Sequence, residues 1–74
     1  MQAYILIKVR GGEEDNALIQ TLSNLDQVKE ARLVFGPWDI IVEVEVPDES
    51  VLNVVVSKIR RESSVIETLT LIVE

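Results

Sequence analysis

Shifting this chain by 37 residues, half of its 74, lays its second half over its first without a gap. Ile5, Ile7 and Val9 then meet Val42, Val44 and Val46, and Leu18, Ile19 and Leu22 meet Val55, Val56 and Ile59. Val28 meets Val65, Glu30 meets Glu67 and Val34 meets Leu71. Chance coincidence is the competing explanation, because 47% of the chain is hydrophobic. If the repeat is real, the chain is one supersecondary unit used twice, and only folds with two equivalent halves are open to it.

The hydrophobic periodicity identifies that unit. From Ala3 to Val9 the residues alternate, with Ile5, Ile7 and Val9 on one face and Tyr4, Leu6 and Lys8 on the other, which predicts a strand. Gly11 and Gly12 break it, and Leu18, Ile19, Leu22 and Leu25 then follow at helical spacing. Val28 to Phe35 sets Ala31, Leu33 and Phe35 against Glu30 and Arg32, and Asp39 to Val46 sets Ile40, Val42, Val44 and Val46 against Glu43 and Glu45. These are two strands joined by a hairpin at Gly36-Pro37. Pro47 stops the strand and Asp48 is the expected N-cap of a second helix carrying Leu52, Val55, Val56 and Ile59. Four valines in that stretch weaken its intrinsic helix preference, but the cap and the basic Lys58, Arg60 and Arg61 near its end favour a helix. After Ser63-Ser64 a last strand runs from Val65 to Val73, with Leu69, Leu71 and Val73 opposite Ile66, Thr68, Thr70 and Ile72. The order β-α-β-β-α-β predicts an α+β fold, a ferredoxin-like sandwich of a four-stranded antiparallel sheet with two helices on one face. Residues 1–74 are expected to form a single domain.

Composition narrows the chemistry. With no cysteine and no histidine, the chain lacks disulfides, thiolate nucleophiles, the commonest metal ligands and the usual general base near neutral pH. No metal and no cofactor is expected, and an enzyme is not. Thirteen acidic against seven basic residues leave a net charge of −6, unfavourable for direct contact with nucleic acid. No apolar run is long enough to span a bilayer and no leader is evident, so a soluble, cytoplasmic protein is expected.

Two helices cover only one face of such a sheet, yet Tyr4, Leu6 and Ile41 make the other face apolar too. An uncovered apolar face usually marks an interface, so the sequence predicts homodimers packed sheet to sheet.

Several segments resemble the effector-binding domain of the Lrp/AsnC transcriptional regulators, also called the regulation-of-amino-acid-metabolism domain. They are Ala3-Tyr4-Ile5-Leu6-Ile7-Lys8-Val9, Val28-Lys29-Glu30-Ala31, Gly36-Pro37-Trp38-Asp39-Ile40, Lys58-Ile59-Arg60 and Val65-Ile66-Glu67-Thr68-Leu69-Thr70-Leu71. The hairpin is the most specific, matching the family's glycine, any residue, aromatic, aspartate signature, with Trp38 where tyrosine is commoner. The resemblance implies a small effector, an amino acid, bound where dimers meet in ring-like higher oligomers. Gly36, Trp38 and Asp39 would line that site, with Thr68 and Thr70 as further candidates. An acidic side chain suits a ligand ammonium, and backbone amides suit its carboxylate. The plainer alternative is that Gly36 serves the turn, Trp38 covers the hairpin and Asp39 bonds the backbone. Because the first strand starts at residue 3, the helix-turn-helix domain of full-length members is expected to be absent. The chain would then sense a metabolite alone or join the rings of full-length regulators.

Other charged groups have structural readings. Glu13-Glu14-Asp15 suits a helix start better than a cation site. Glu43 and Glu45 share a strand face without the unequal environments of a catalytic pair, and Lys8 with Glu43 is expected as an ion pair at the dimer interface. Arg60 and Arg61 lack interleaved aromatics. Two rival functions remain: a purely structural oligomerisation module, and an enzyme of the dimeric α+β-barrel type, whose members share this topology.

Overall fold

The computed structural model describes residues 1–11 and 16–74 in full, and the backbone of Asp15. The acidic run Glu13-Glu14-Asp15 therefore lies outside the residues whose side chains are described. The elements follow the expected order: β1 (Gln2–Val9), α1 (Asp15–Ser23), β2 (Val28–Leu33), β3 (Ile40–Glu45), α2 (Glu49–Arg60) and β4 (Val65–Ile72). The strands form one antiparallel sheet in the order β2-β3-β1-β4, the ferredoxin-like α+β arrangement.

Strand order explains the distribution of apolar residues. The central strands β1 and β3 give their inward positions to the core, and Ala3, Ile5, Ile7, Val9, Ile40, Val42, Val44 and Val46 are all buried. Leu18 and Leu22 from α1, and Leu52, Val55 and Ile59 from α2, close over them as one cluster. The outer strands contribute the half-buried Val28, Ala31 and Val65. Among the described residues no polar side chain is buried, so the core rests on close packing without buried hydrogen-bonded pairs.

The two halves meet at the β1–β3 ladder, where Ile5 faces Val42, its own counterpart in the 37-residue repeat. An approximate two-fold axis thus passes through that pair. The symmetry loosens at the edges. A strict repeat of the Ala31–Val42 pairing would bring Thr68 opposite Ile5, whereas Thr70 sits there. The offset is two residues, which keeps every side chain on its original face.

The second helix starts where expected. Asp48 has extended backbone and its carboxylate accepts from the Val51 N–H at 3.1 Å, offsetting the weak helix preference of the valines that follow. Lys58 and Arg60 occupy the last turn, and Arg61 caps the helix. Strand β2 ends at Leu33, two residues short of the expected Phe35, and the last backbone bond between the two arms runs from the Val34 N–H to the Asp39 carbonyl at 2.9 Å. Phe35 lies beyond that bond and is fully exposed, not on the inward face with Ala31.

Two consequences can be measured. Ile5 is wholly buried at the centre of the ladder. Ile5→Ala should cost about 2–5 kcal/mol in a denaturant titration, through lost burial and the cavity left behind. The Ser50 hydroxyl, and after it the Val51 N–H, hold the Asp48 carboxyl below its ordinary value of 3.8. A depressed folded-state pKa contributes stability that is complete above the unfolded value and is lost as pH falls through the folded one. Asp48→Asn, which still caps, should lack this component, so the melting temperatures of the two proteins should converge as pH drops below about 4.

Candidate functional site

The β2–β3 hairpin is fixed to the end of β1 by one residue. The Asp39 N–H donates to the Ile7 carbonyl at 2.9 Å, its carbonyl accepts from Val34, and its Oδ2 accepts from the Val9 N–H at 2.9 Å. In the β1–β3 register, Val9 would next face Trp38, but the Asp39 carboxylate has taken the Val9 N–H. The ladder therefore ends on a side chain and the hairpin turns away from it. Gly36 lies within that turn with φ of 147°, a conformation reserved for glycine, and an added Cβ would meet no atom within 4 Å. It is the backbone angle, not crowding, that requires glycine here.

Trp38 is half-buried, and the Lys8 ammonium lies 5.7 Å from its ring centroid. This distance is within cation–π range. Lys8 belongs to the sheet face away from the helices, because its neighbours Ile7 and Val9 point into the core. Sequence reasoning offers Lys8 only as a partner for Glu43. Within one chain the register keeps the two apart: Glu43 faces Tyr4, four residues along β1 from Lys8. At about 3.4 Å per residue that separation is too large for an ion pair within one chain. Glu43 is instead held by the Gln2 Nε2 at 2.8 Å. The alternation of β1 combined with the Ile5–Val42 pairing is the signal that places Lys8 opposite Asp39.

The candidates from the last strand lie elsewhere. Thr68 faces Ile7 and Thr70 faces Ile5, so both point to the helix side of the sheet, opposite to Lys8. Thr68 lines a separate cavity of about 320 Å³ with Arg60, Val65, Ile66 and Glu67. Within one chain the structure brings Gly36, Trp38 and Asp39 together and leaves Thr68 and Thr70 apart from them. Two other cavities, of about 270 and 210 Å³, lie along α2 at Asn53, Val54, Ser57, Lys58 and Arg61, and on the open sheet face at Tyr4, Glu30, Arg32, Ile41 and Glu43. None of the three is lined by Gly36, Trp38 or Asp39. The hairpin therefore lines none of these cavities, whereas small-molecule sites are usually concave and enclosing.

The open sheet face has an apolar centre of Tyr4, Leu6, Ile41, Leu69 and Leu71, adjacent across β3, β1 and β4. Leu69 and Leu71 are 44% and 50% exposed. Among the described residues, no group of three acidic or other ligating side chains could hold a metal ion. No helix of the described residues is long and apolar enough to cross a membrane.

These features define a ferredoxin-like α+β module with one helix-covered face, one open face with an apolar centre, and a hairpin braced to β1 beside the latter. The chain belongs to the family of Lrp/AsnC ligand-binding domains, whose profile matches residues 2–73. It is 33% identical over 70 residues to an HTH-type transcriptional regulator of Pyrococcus abyssi, covering 88% of this chain and 47% of that protein. It is also 34% identical over 73 residues to a homocitrate synthase of Sulfurisphaera tokodaii, covering 99% of this chain and 16% of the enzyme. A Thermus thermophilus protein of known crystal structure superposes with a TM-score of 0.87 at 35% identity, covering 95% of this chain and 88% of that one. The chain spans less than half the length of these curated relatives.

Removal of the Asp39 carboxylate leaves the part-buried Val9 N–H without its acceptor. Asp39→Ala should therefore cost about 1–3 kcal/mol of stability. Asp39→Asn keeps an acceptor and should cost clearly less, as compared by denaturant midpoints. Gly36→Ala should cost about 1–3 kcal/mol in the same measurement, since alanine cannot adopt that backbone angle without strain.

Proposed function

We propose that this chain is an amino-acid-sensing module that works as an assembly in transcriptional regulation, either alone or within rings of full-length Lrp/AsnC regulators. Residues 1–74 act as one cytoplasmic, non-enzymatic domain, and it dimerises through the open sheet face. The effector sits where the hairpins of neighbouring dimers meet, against Gly36, Trp38 and Asp39. Family membership supports the binding role. The observation that carries the assembly is the apolar centre of Tyr4, Leu6, Ile41, Leu69 and Leu71, uncovered in a single chain. The exposed hairpin supports a site completed by a second copy. Thr68 and Thr70, on the other face of the sheet, contribute only if a neighbouring copy brings them in.

One observation favours a purely structural module instead. Asp39 already gives its N–H, its carbonyl and one carboxylate oxygen to the hairpin and β1. The homocitrate synthase relatives do not favour an enzymatic reading, because the likeness occupies only 16% of that protein.

Light scattering on the purified chain should give a dimer or larger. Leu69→Lys, a substitution of an exposed residue at the centre of the open face, should shift it towards monomer with its fold intact. A wild-type monomer at high micromolar concentration rules out the assembly. A thermal-shift screen of the twenty amino acids should single out one or a few, with stabilisation approaching about 2.7 kcal/mol at a hundredfold excess over Kd. The response should weaken in Asp39→Asn. No response to any amino acid at millimolar concentration, with the oligomer intact, would favour the structural module.

A further inference from the structure

We infer that Lys8 is a ligand-binding residue of the hairpin site, supplying the cation that recognises the carboxylate of a bound amino acid. The inference rests on the reading of the hairpin as an effector site, and adds a charged donor to the backbone amides of that reading. Gly36, Trp38 and Asp39 offer a carboxylate and an aromatic face, but no side chain of positive charge. A zwitterion presents both charges, and in a partly dry cleft its carboxylate binds most strongly to a charged donor.

Three observations place Lys8 in that role. The register continues from the Ile7–Ile40 pair to set Lys8 beside Asp39, so one cation and one anion flank the base of the hairpin. The ammonium is held over the Trp38 ring at 5.7 Å, which positions it at the hairpin and not along the sheet. It also has no carboxylate within ion-pair distance among the described residues, where the ion pairs are Met1–Glu45 and Arg32–Glu30. Glu67 faces Lys8 from β4 without closing to that distance. Among the described residues no carboxylate engages the ammonium, and the indole lies beside it. An indole binds a cation more strongly than the other aromatic rings do, so Trp38 suits this positioning.

The test separates this assignment from the reading beneath it. The amino acid that gives the largest thermal shift is titrated calorimetrically against wild type, Lys8→Met and Lys8→Arg, and so is its α-carboxamide. Wild type should prefer the acid to the amide by at least tenfold. Lys8→Met, which keeps the length and apolar character of the stem, should bind the acid at least tenfold more weakly and no longer distinguish it from the amide. Its oligomer size should match wild type, and Lys8→Arg should restore most of the preference. Wild-type affinity and preference in Lys8→Met would overturn the role of Lys8 alone. A wild-type protein that responds to none of the twenty amino acids would overturn the effector reading, and this inference with it.

Discussion

The antiparallel pairing of β1 with β3 sets the terms for the rest of this fold. It places Ile5 against Val42, aligns eight inward apolar side chains into one floor, and gives both helices the surface on which they close. The same pairing brings the two halves of the repeat face to face, so one register serves the symmetry and the core together. With no buried polar pair among the described residues to specify that register, the alternation of side chains has to do so. A slip of one residue would turn Ile5 and Ile7 outward and Tyr4 and Lys8 inward, which the core could not accommodate.

Much of this is legible in the sequence because it depends on local rules. Alternation identifies all four strands, and the Asp48 cap outweighs the valines of α2 in the sequence and in the structure alike. What cannot be read are features set by long-range register. Pairing between the arms stops at the bond between Val34 and Asp39 and leaves Phe35 outside it, and no periodicity in Val28–Phe35 announces this. The pairing of β4 with β1 is offset by two residues from the repeat, so the sequence shift alone misplaces the neighbours of Thr68 and Thr70. Sequence alone matches Lys8 with Glu43 because both project from adjacent strands. Only the register shows them four positions apart.

The hairpin is recognisable from its residues, and the structure changes what those residues are seen to do. Gly36 is required by its backbone angle, and Asp39 is a brace for the ladder before it is anything else. Both of the plainer explanations for these positions therefore hold. They do not exclude a ligand role, since a rigid, exposed turn fixed to a central strand is a good platform for recognition. A ligand role for Asp39 would share the carboxylate that braces Val9.

The shared use of that carboxylate has a further consequence for the backbone. Because Oδ2 is the acceptor for the Val9 N–H, the solvent protection of a single amide at the end of β1 depends on a side chain 30 residues away. Any partner that draws the Asp39 carboxylate towards itself must either use the other oxygen or release Val9 into exchange with water. Occupancy of the turn and fraying of the central strand are then linked equilibria. The amide of Val9 becomes the position in the chain at which events at the hairpin enter the fold.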